Sequence, residues 1–179
     1  LELAIDVMDA IFNDKDEVDG GSDPKSNQST PGPRLPPDPV TVAPPADPTT
    51  TTILSTASAF LYSGANPIQT GVAPGTIDPR RAAVIRGRLL DKSNNALPGV
   101  TVTLRNHPEY GQTLTRADGR FDIAVNGGGT LTLHYAKPGL LPAQRQVVVP
   151  WLDYAYAGDT ILIGRKPTGT LLISDVHPG

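Results

Sequence analysis

The 179-residue chain lacks cysteine and has only one tryptophan, one methionine and three phenylalanines. Without cysteine it cannot form disulfides, thiolate zinc sites, iron–sulfur clusters or a cysteine nucleophile. It also lacks a run of roughly 18 apolar residues, so no span of a membrane is expected. The net charge of −3 provides no global field that would attract nucleic acid or anionic lipid. We therefore expect no nucleic-acid partner.

Proline and glycine are abundant instead, with 19 and 18 residues, while only 38% of the residues are hydrophobic. An apolar fraction this low predicts that part of the chain is extended rather than packed. Local composition divides the chain into five segments. We predict a short amphipathic helix at 1–12, an acidic and then Pro/Thr-rich linker at 13–56, a lead-in with a short strand at 57–81, a β-sandwich at 82–165 and the start of a further segment at 166–179.

The first segment has the spacing of one helical face, because its apolar residues recur every three or four positions. The polar side of this helix is acidic, whereas a helix that lies on a membrane normally carries Lys and Arg. Its stripe is therefore a candidate contact with a partner protein. The segment has no basic region of a signal peptide and no initiator methionine, so we expect a piece of a longer chain. The stripe consists of Leu1, Ile5, Met8 and Phe12.

The linker combines an acidic run around Gly20 with nine prolines between Pro24 and Pro48. A calcium loop of the EF-hand type is excluded, because Lys15 would occupy the first ligand position. Proline at this density excludes helix and inner strand and predicts an extended, polyproline-like tether. A ligand for a PxxP-binding domain is a weaker alternative, since any proline-rich linker contains such pairs.

A second apolar group lies in the lead-in segment, where Ala57–Tyr62 is predicted to form a short strand. This group exceeds what a sandwich of 84 residues at 82–165 needs for its own core. Apolar clusters without an internal partner usually mark interfaces. The group is therefore a second set of candidate partner contacts: Phe60, Leu61, Tyr62 and Ile68.

Residues 82–165 show strict alternation of apolar and polar side chains, with turn residues every eight to twelve positions. Phe121, Ile123 and Val125, for example, alternate with polar or small neighbours, which places them on one inward face. Gly87 lies inside the first strand and predicts a bulge. The pattern predicts an all-β, seven-stranded antiparallel β-sandwich. The predicted strands are 83–90, 100–105, 113–115, 121–125, 131–135, 146–149 and 160–163.

Motifs that carry chemistry are weak throughout. His107, His134 and His177 have no partner at metal-ligand spacing. The glycines at 127–129 lack the Lys-Ser/Thr ending of a phosphate-binding loop, and a strand rather than a helix follows them. We expect no catalytic residue, no cofactor and no metal.

Two charged features remain in the sandwich. Arg86 and Arg88 share one strand face and could form a small basic patch, but few aromatic residues accompany them for nucleic-acid stacking. Asp118 and Asp122 frame a hairpin turn. Asp118 is expected to bond its own backbone rather than to act as an acid or base.

Several runs in this region resemble a known family. Val84–Gly87, Leu97–Val100 and Thr115–Asp122 resemble the carboxypeptidase-regulatory-like, transthyretin-like β-sandwich. A more specific combination is similar to the transthyretin-like domain upstream of the plug, propeller and YD-repeat shell in teneurins and bacterial Rhs/YD-repeat proteins. It consists of Asn106–Gly111, Asn126–Tyr135 and Val149–Trp151, and the preceding Phe60–Gly71 is similar to bacterial members.

The resemblance implies a non-catalytic structural module that supports or tethers the shell of a large, secreted or cell-surface bacterial protein. Its partner would be the remainder of the same polypeptide, namely the shell and plug regions. Any toxin or protease activity would lie in parts absent from this chain. Trp151, the only tryptophan, is expected to anchor a core or a domain interface. The alternative is a stand-alone β-sandwich that recognises a partner protein or a carbohydrate.

Overall fold

The structure, a computed structural model, describes residues 34–45 and 48–165. The predicted helix at 1–12, with Leu1, Ile5, Met8 and Phe12, lies outside the described residues. So do the acidic run, His177 and the segment at 166–179.

Seven strands in two sheets form the described part of the sandwich, and the all-β class predicted from the alternation is confirmed. Alternating side chains give each strand one inward face, which is the pattern of a strand packed on one side. The strands are β1 (Ala82–Leu90), β2 (Thr101–Leu104), β3 (Gln112–Leu114), β4 (Arg120–Asn126), β5 (Gly129–Ala136), β6 (Ala143–Val149) and β7 (Tyr154–Ile161).

The strand order is β4-β1-β7 in the three-stranded sheet and β3-β2-β5-β6 in the four-stranded sheet. The pairs are antiparallel except that β7 runs parallel to β1, which differs from the wholly antiparallel prediction. The register between β1 and β7 shifts between Arg86 and Gly87, so the predicted irregularity at Gly87 is confirmed. The last strand begins at Tyr154 rather than near residue 160. The buried residues in the first half of β7 are the small Ala155 and Ala157. Because alanine gives a weak hydrophobic signal, the alternation pattern did not predict this part of the strand.

The core lies between the two sheets and is filled by branched and aromatic side chains. Phe121, Ile123 and Val125 point inward as predicted. The ring centroids of Phe121 and Tyr135 lie 5.8 Å apart. A Cβ atom at Gly87 would lie 2.7 Å from the Phe121 ring, so a side chain at this position would displace the ring. Glycine in β1 therefore makes room for the largest apolar side chain of β4.

Tyr135 places a phenol in this core. Its side chain is fully buried, and its hydroxyl makes no hydrogen bond to a described residue. Burial raises the pKa of Tyr135 from 10.0 to about 12, although the nearby Thr160 and Arg145 lower it slightly. The nearby Thr160 hydroxyl is likewise buried and makes no hydrogen bond to a described residue.

We expect the sandwich to lose stability at alkaline pH because of Tyr135. The folded state holds the phenol neutral, so this contribution is complete below pH 10.0 and is lost as the pH rises toward about 12. The loss approaches about 3 kcal/mol, since each pKa unit corresponds to about 1.4 kcal/mol. Urea unfolding at several pH values would measure it. For Tyr135→Phe, the free energy of unfolding should depend less on pH between pH 10.0 and about 12. Because the hydroxyl has no hydrogen bond to a described residue, this variant should change stability at neutral pH by less than about 1 kcal/mol. An equally steep profile in Tyr135→Phe would refute this assignment.

In the part of the chain that the structure describes, two short helices precede the sandwich, and both correct a sequence prediction. Helix α1 (Pro39–Val42) lies in the segment where proline was taken to exclude a helix. Pro39 occupies the first turn, where its missing N–H costs nothing, and the Asp38 carboxylate accepts a hydrogen bond from Val40 N at 3.0 Å. Capping by Asp38 and the position of Pro39 explain the difference.

The predicted strand at Ala57–Tyr62 is also wrong. Helix α2 (Leu54–Ser58) continues into a 3₁₀ turn at Ala59–Leu61. The Ser58 hydroxyl donates to the Leu54 carbonyl at 2.7 Å, and this compact turn brings Leu61 onto the sheet. A second 3₁₀ turn at Pro108–Tyr110 precedes β3. Among the described residues, no helix has the length and apolar character needed to cross a membrane.

Candidate functional site

The outer face of the three-stranded sheet is divided between an apolar half and a charged half. The apolar half is covered by the lead-in. Leu61 and Ile68 are buried against Val84 of β1 and Ala124 of β4, with Phe60 and Tyr62 packed at the margin. Leu61 and Ile68 therefore have an internal partner, which the sequence analysis did not expect.

Gln69 secures the lead-in to the free edge of β4. Its side chain is completely buried, and its side-chain amide forms hydrogen bonds with the backbone of β4, as an adjacent strand would. The Gln69 Oε1 atom accepts from Ala124 N at 2.6 Å, while Nε2 donates to the Ala124 carbonyl at 2.9 Å and to the Tyr110 carbonyl at 2.8 Å. An open strand edge is a template for pairing with another chain, so Gln69 closes this edge.

The next residue closes an edge of the other sheet. Thr70 and Gln112 of β3 exchange two backbone hydrogen bonds of 2.8 Å each. The lead-in passes so close to the turn before β3 that a Cβ atom at Gly111 would lie 2.0 Å from the Thr70 carbonyl oxygen. Gly111 also has a φ of +60°, a backbone conformation that glycine adopts without strain. The lead-in is therefore built into the sandwich.

The charged half of the outer face is organised around Asp122. Its carboxylate is 5% exposed and accepts from Arg86 Nε at 2.6 Å and from Arg116 Nη1 at 2.5 Å. The Arg86 guanidinium also lies 4.1 Å from the centre of the Tyr154 ring. Strand alternation had placed Asp122 among the exposed residues. It is buried because two arginines cover it and neutralise its charge.

Beside this cluster lies a depression of about 350 Å³, which we call the outer groove. Arg88, Arg120 and Tyr156 line it together with the Asp122 cluster, and Asp38–Val40 form part of its wall. The predicted basic patch of Arg86 and Arg88 therefore exists on one face, but it is interleaved with aspartates. Asp118 accepts from its neighbour Arg120 N at 2.9 Å, as expected of a turn aspartate.

The glycine-rich turn and the only tryptophan contact each other. A Cβ atom at Gly127 would lie 1.9 Å from the Pro150 carbonyl oxygen, and one at Gly128 would lie 1.8 Å from Trp151 Nε1. Two of the runs that carry the family resemblance thus meet in space. Trp151 remains 62% exposed, so it is not a core residue.

Metal and acid–base chemistry finds little support in the described residues. No group of three or more potential metal ligands occurs among them. His107 Nδ1 lies 2.9 Å from Glu109 Oε1, and this contact holds the pKa of Glu109 below its usual value. His134 is half-buried on the outer face of β5.

The structure separates the predicted contact residues into two groups. Leu61 and Ile68 are buried inside the fold, whereas Trp151 is exposed. Gln69 and Asp122, which hold the outer face together, were missed as functional positions. A glutamine in an irregular, Gly/Pro-rich stretch gives no signal in the sequence, and Asp122 follows the ordinary alternation of β4.

Comparison with known proteins bears on the same segment. Residues 77–162 match the family described as the teneurin TTR-like domain. The chain is 37% identical over 99 residues to Teneurin-3 of Mus musculus and 37% identical over 102 residues to Teneurin-m of Drosophila melanogaster. These alignments cover 54% and 57% of this chain, but it spans only 4% of the length of either relative.

Among solved structures, 3-chlorocatechol 1,2-dioxygenase from Rhodococcus opacus is similar with a TM-score of 0.41 and 11% identity, covering 52% of this chain and 64% of that one. A similarity of this size carries no argument about activity.

Proposed function

Because the chain carries a transthyretin-like domain of the teneurin type, we propose that it is a non-catalytic structural module within a much longer polypeptide. Its role is mechanical: it supports or tethers the shell of a teneurin-like or Rhs/YD-repeat protein. The interior of the described sandwich is filled by apolar side chains, and its polar clusters are used for internal pairing. The five-segment division of the chain forms part of this proposal.

The observation that carries the proposal is the distribution of exposed apolar side chains. The lead-in closes edges of β3 and β4, whereas β6, β7 and their connection expose large apolar groups. We call this set the β6–β7 surface; it runs around the edge of the sandwich, with Val148 facing outward from the four-stranded sheet and Tyr156 from the three-stranded sheet. Exposed apolar groups of this kind mark contact sites. The surface consists of Val148 (75% exposed), Trp151 (62%), Leu152 (48%) and Tyr156 (76%).

The partner is the remainder of the same polypeptide. Trp151, Tyr156 and the half-buried Phe60 and Tyr62 are the contacts we propose on the described part, and Leu1, Ile5, Met8 and Phe12 form the second proposed contact. We also propose that the chain lies outside the cell or on its surface, and that the longer protein that contains it is a bacterial protein of the Rhs type. The relatives named above come from animals.

Hydroxyl-radical footprinting tests this function. The chain is compared with a longer version that includes its natural C-terminal continuation, and oxidation is quantified residue by residue. We expect oxidation of Trp151 and Tyr156 to fall severalfold in the longer version, while His107, on the turn before β3, changes little. Unchanged oxidation of both aromatic residues would contradict the proposal.

A pair of variants separates contact from folding. Trp151→Ala should weaken protection of the β6–β7 surface in the longer version without unfolding the isolated chain, since the side chain is mainly exposed. Ile53→Ala, at a position 54% exposed before helix α2, is the matched control and should leave the protection intact. Equal effects of the two variants would exclude a specific contact at Trp151.

A stand-alone binding module for a partner protein or carbohydrate remains the second candidate. The exposed Trp151 and Tyr156, together with the Tyr154 ring stacked by Arg86, favour it, because such aromatic groups are enriched at binding sites. This alternative would be supported if oxidation of Trp151 and Tyr156 is unchanged in the longer version but falls when a soluble partner is added.

A further inference from the structure

Among the described residues of the proline-rich tether at 34–45, one is buried. Pro39 is buried, whereas its neighbours Asp38 and Val40 are exposed, and Val40 is 85% exposed. Upstream, the Leu35 side chain lies 3.5 Å from the point where a Cβ atom of Gly99 would be. Residues 35–40 therefore lie along the sandwich, although the composition predicted a free tether as far as residue 56.

The outer groove is complementary in charge to this segment. The sandwich contributes four arginines and three aspartates to the groove, which leaves one uncompensated positive charge. Asp38 of the tether also lines the groove and balances the count of charges, although its carboxylate bonds Val40 N and forms no direct ion pair with an arginine of the described residues. Opposite charges in a partly enclosed site interact more strongly than on an open surface. The arginines are Arg86, Arg88, Arg116 and Arg120, and the aspartates are Asp118, Asp122 and Asp159.

The groove also suits proline. Tyr156 and Pro39 both line it, and Tyr156 is 76% exposed and therefore accessible to a segment that lies there. Aromatic side chains are the usual platform for proline-rich segments, which lose little entropy on binding because they are already extended. Asp38 then caps helix α1, where Thr41 N donates to the Asp38 carbonyl at 2.9 Å and Ala43 N donates to the Pro39 carbonyl at 2.8 Å.

We propose that the side of the outer groove formed by β1, β4 and β7 is a docking surface for an acidic, proline-containing peptide segment, and that this segment is the chain's own residues 35–40, of which 38–40 form the opposite wall. The groove clasps the tether to the sandwich at Asp38 and Pro39. A mechanical force applied to the N-terminal region would then be transmitted to β1 and β4 at the clasp, and not first at residue 53, where helix α2 begins. The clasp and the β6–β7 surface share Tyr156 but no other residue, so exchange at Thr41 and Ala43 in the isolated chain tests the clasp, and footprinting of Trp151 in the longer version tests the proposed function separately.

Hydrogen exchange of the full chain tests the clasp at the amides of Thr41 and Ala43. Asp38→Asn is the informative variant, because asparagine caps a helix as well as aspartate but removes the charge. We expect Asp38→Asn and Tyr156→Ala each to accelerate exchange at these amides by about tenfold, the change expected when one modest local contact is lost. Val148→Ala, equally exposed on β6, is the control and should have no effect. The amide of Leu89, bonded to the Gly119 carbonyl, should stay protected in every variant and so reports an intact sandwich.

A spin label provides an independent readout, and the absence of cysteine from the chain makes it specific. A nitroxide on Val40→Cys should broaden the amide signals of Arg88 and Asp159 strongly and that of Asn126, at the opposite end of the β1–β4 pair, much less. Adding Asp38→Asn should reduce that broadening. The proposal is overturned if Thr41 and Ala43 exchange as fast as a free peptide in the parent chain, if Asp38→Asn leaves their exchange unchanged, or if the label broadens neither groove residue.

Discussion

Gln69→Leu is expected to lower the free energy of unfolding by about 3–9 kcal/mol. The substitution keeps the approximate volume but removes three hydrogen bonds inside the fold. The N–H and C=O groups of Ala124 and the carbonyl of Tyr110 would then be buried without partners. Each buried and unsatisfied polar group costs about 1–3 kcal/mol, which gives the total. Chemical denaturation, followed by fluorescence or circular dichroism, measures the change.

Gln146→Leu is the matched control for this prediction. It makes the same chemical change at an exposed position on β6 and is expected to alter stability by no more than about 0.5 kcal/mol. Gln69→Glu is a second comparison, since it keeps the acceptor oxygen but loses the donor to two carbonyls. A cost below about 1 kcal/mol for Gln69→Leu would mean that water replaces the lost bonds and that the lead-in is not fixed at β4.

The role of Gln69 changes how the lead-in is understood. The family match begins at residue 77, and the sequence placed the sandwich at 82–165, so both leave Gln69 outside the domain. In the structure, Gln69 and Thr70 complete the edges of β4 and β3, and Leu61 and Ile68 cover Val84 and Ala124. The folded unit therefore includes the lead-in. A fragment that begins at residue 77 should expose both edges and be prone to association.

The sequence predicted the structure correctly where apolar residues recur with one clear periodicity. The alternation of Phe121, Ile123 and Val125 predicted the inward face of β4, and the turn signals predicted the sandwich. It failed at Ala57–Tyr62 because the residues of this segment are compatible with strand or helix, and burial of Leu61 in tertiary contacts decided between them. The exclusion of helix in the tether failed because one proline at a helix start is favourable, whereas one in a helix interior is not.

The site was harder to predict than the fold, for a different physical reason. Binary patterning assigns each residue to a face by its polarity, and it treats every polar residue as exposed. Asp122 and Gln69 violate that rule, since each is buried and hydrogen-bonded. Gln69 lies 55 residues from Ala124, and Asp122 lies 36 residues from Arg86, although its other partner, Arg116, is only six residues away across the turn. Nothing in the local sequence marks either side chain as buried, because its burial depends on elements that only the fold brings together.

The ion cluster on the outer face gives the second large effect. Asp122→Ala is expected to lower the free energy of unfolding by about 3–5 kcal/mol, because removing one member of a buried ion pair leaves the opposite charge buried and unpaired. Arg116 is the residue left behind. It is only 9% exposed, and its Nε atom makes no hydrogen bond to a described residue even in the parent chain, so it depends on Asp122.

Asp118→Ala is the matched control, since Asp118 is 47% exposed in its side chain and meets Arg116 and Arg120 only at 3.7 Å. It should cost at most about 1 kcal/mol, as is typical of surface ion pairs. The double variant Arg116→Met/Asp122→Leu should recover most of the stability, because it removes both charges and keeps the apolar volume. If the double variant is no more stable than Asp122→Ala, the cost comes from lost packing beneath Asp122 and not from an unpaired arginine. A cost for Asp122→Ala no larger than that of Asp118→Ala would show that Asp122 is solvated in solution and that Arg86, over the ring of Tyr154, is held by the aromatic contact alone.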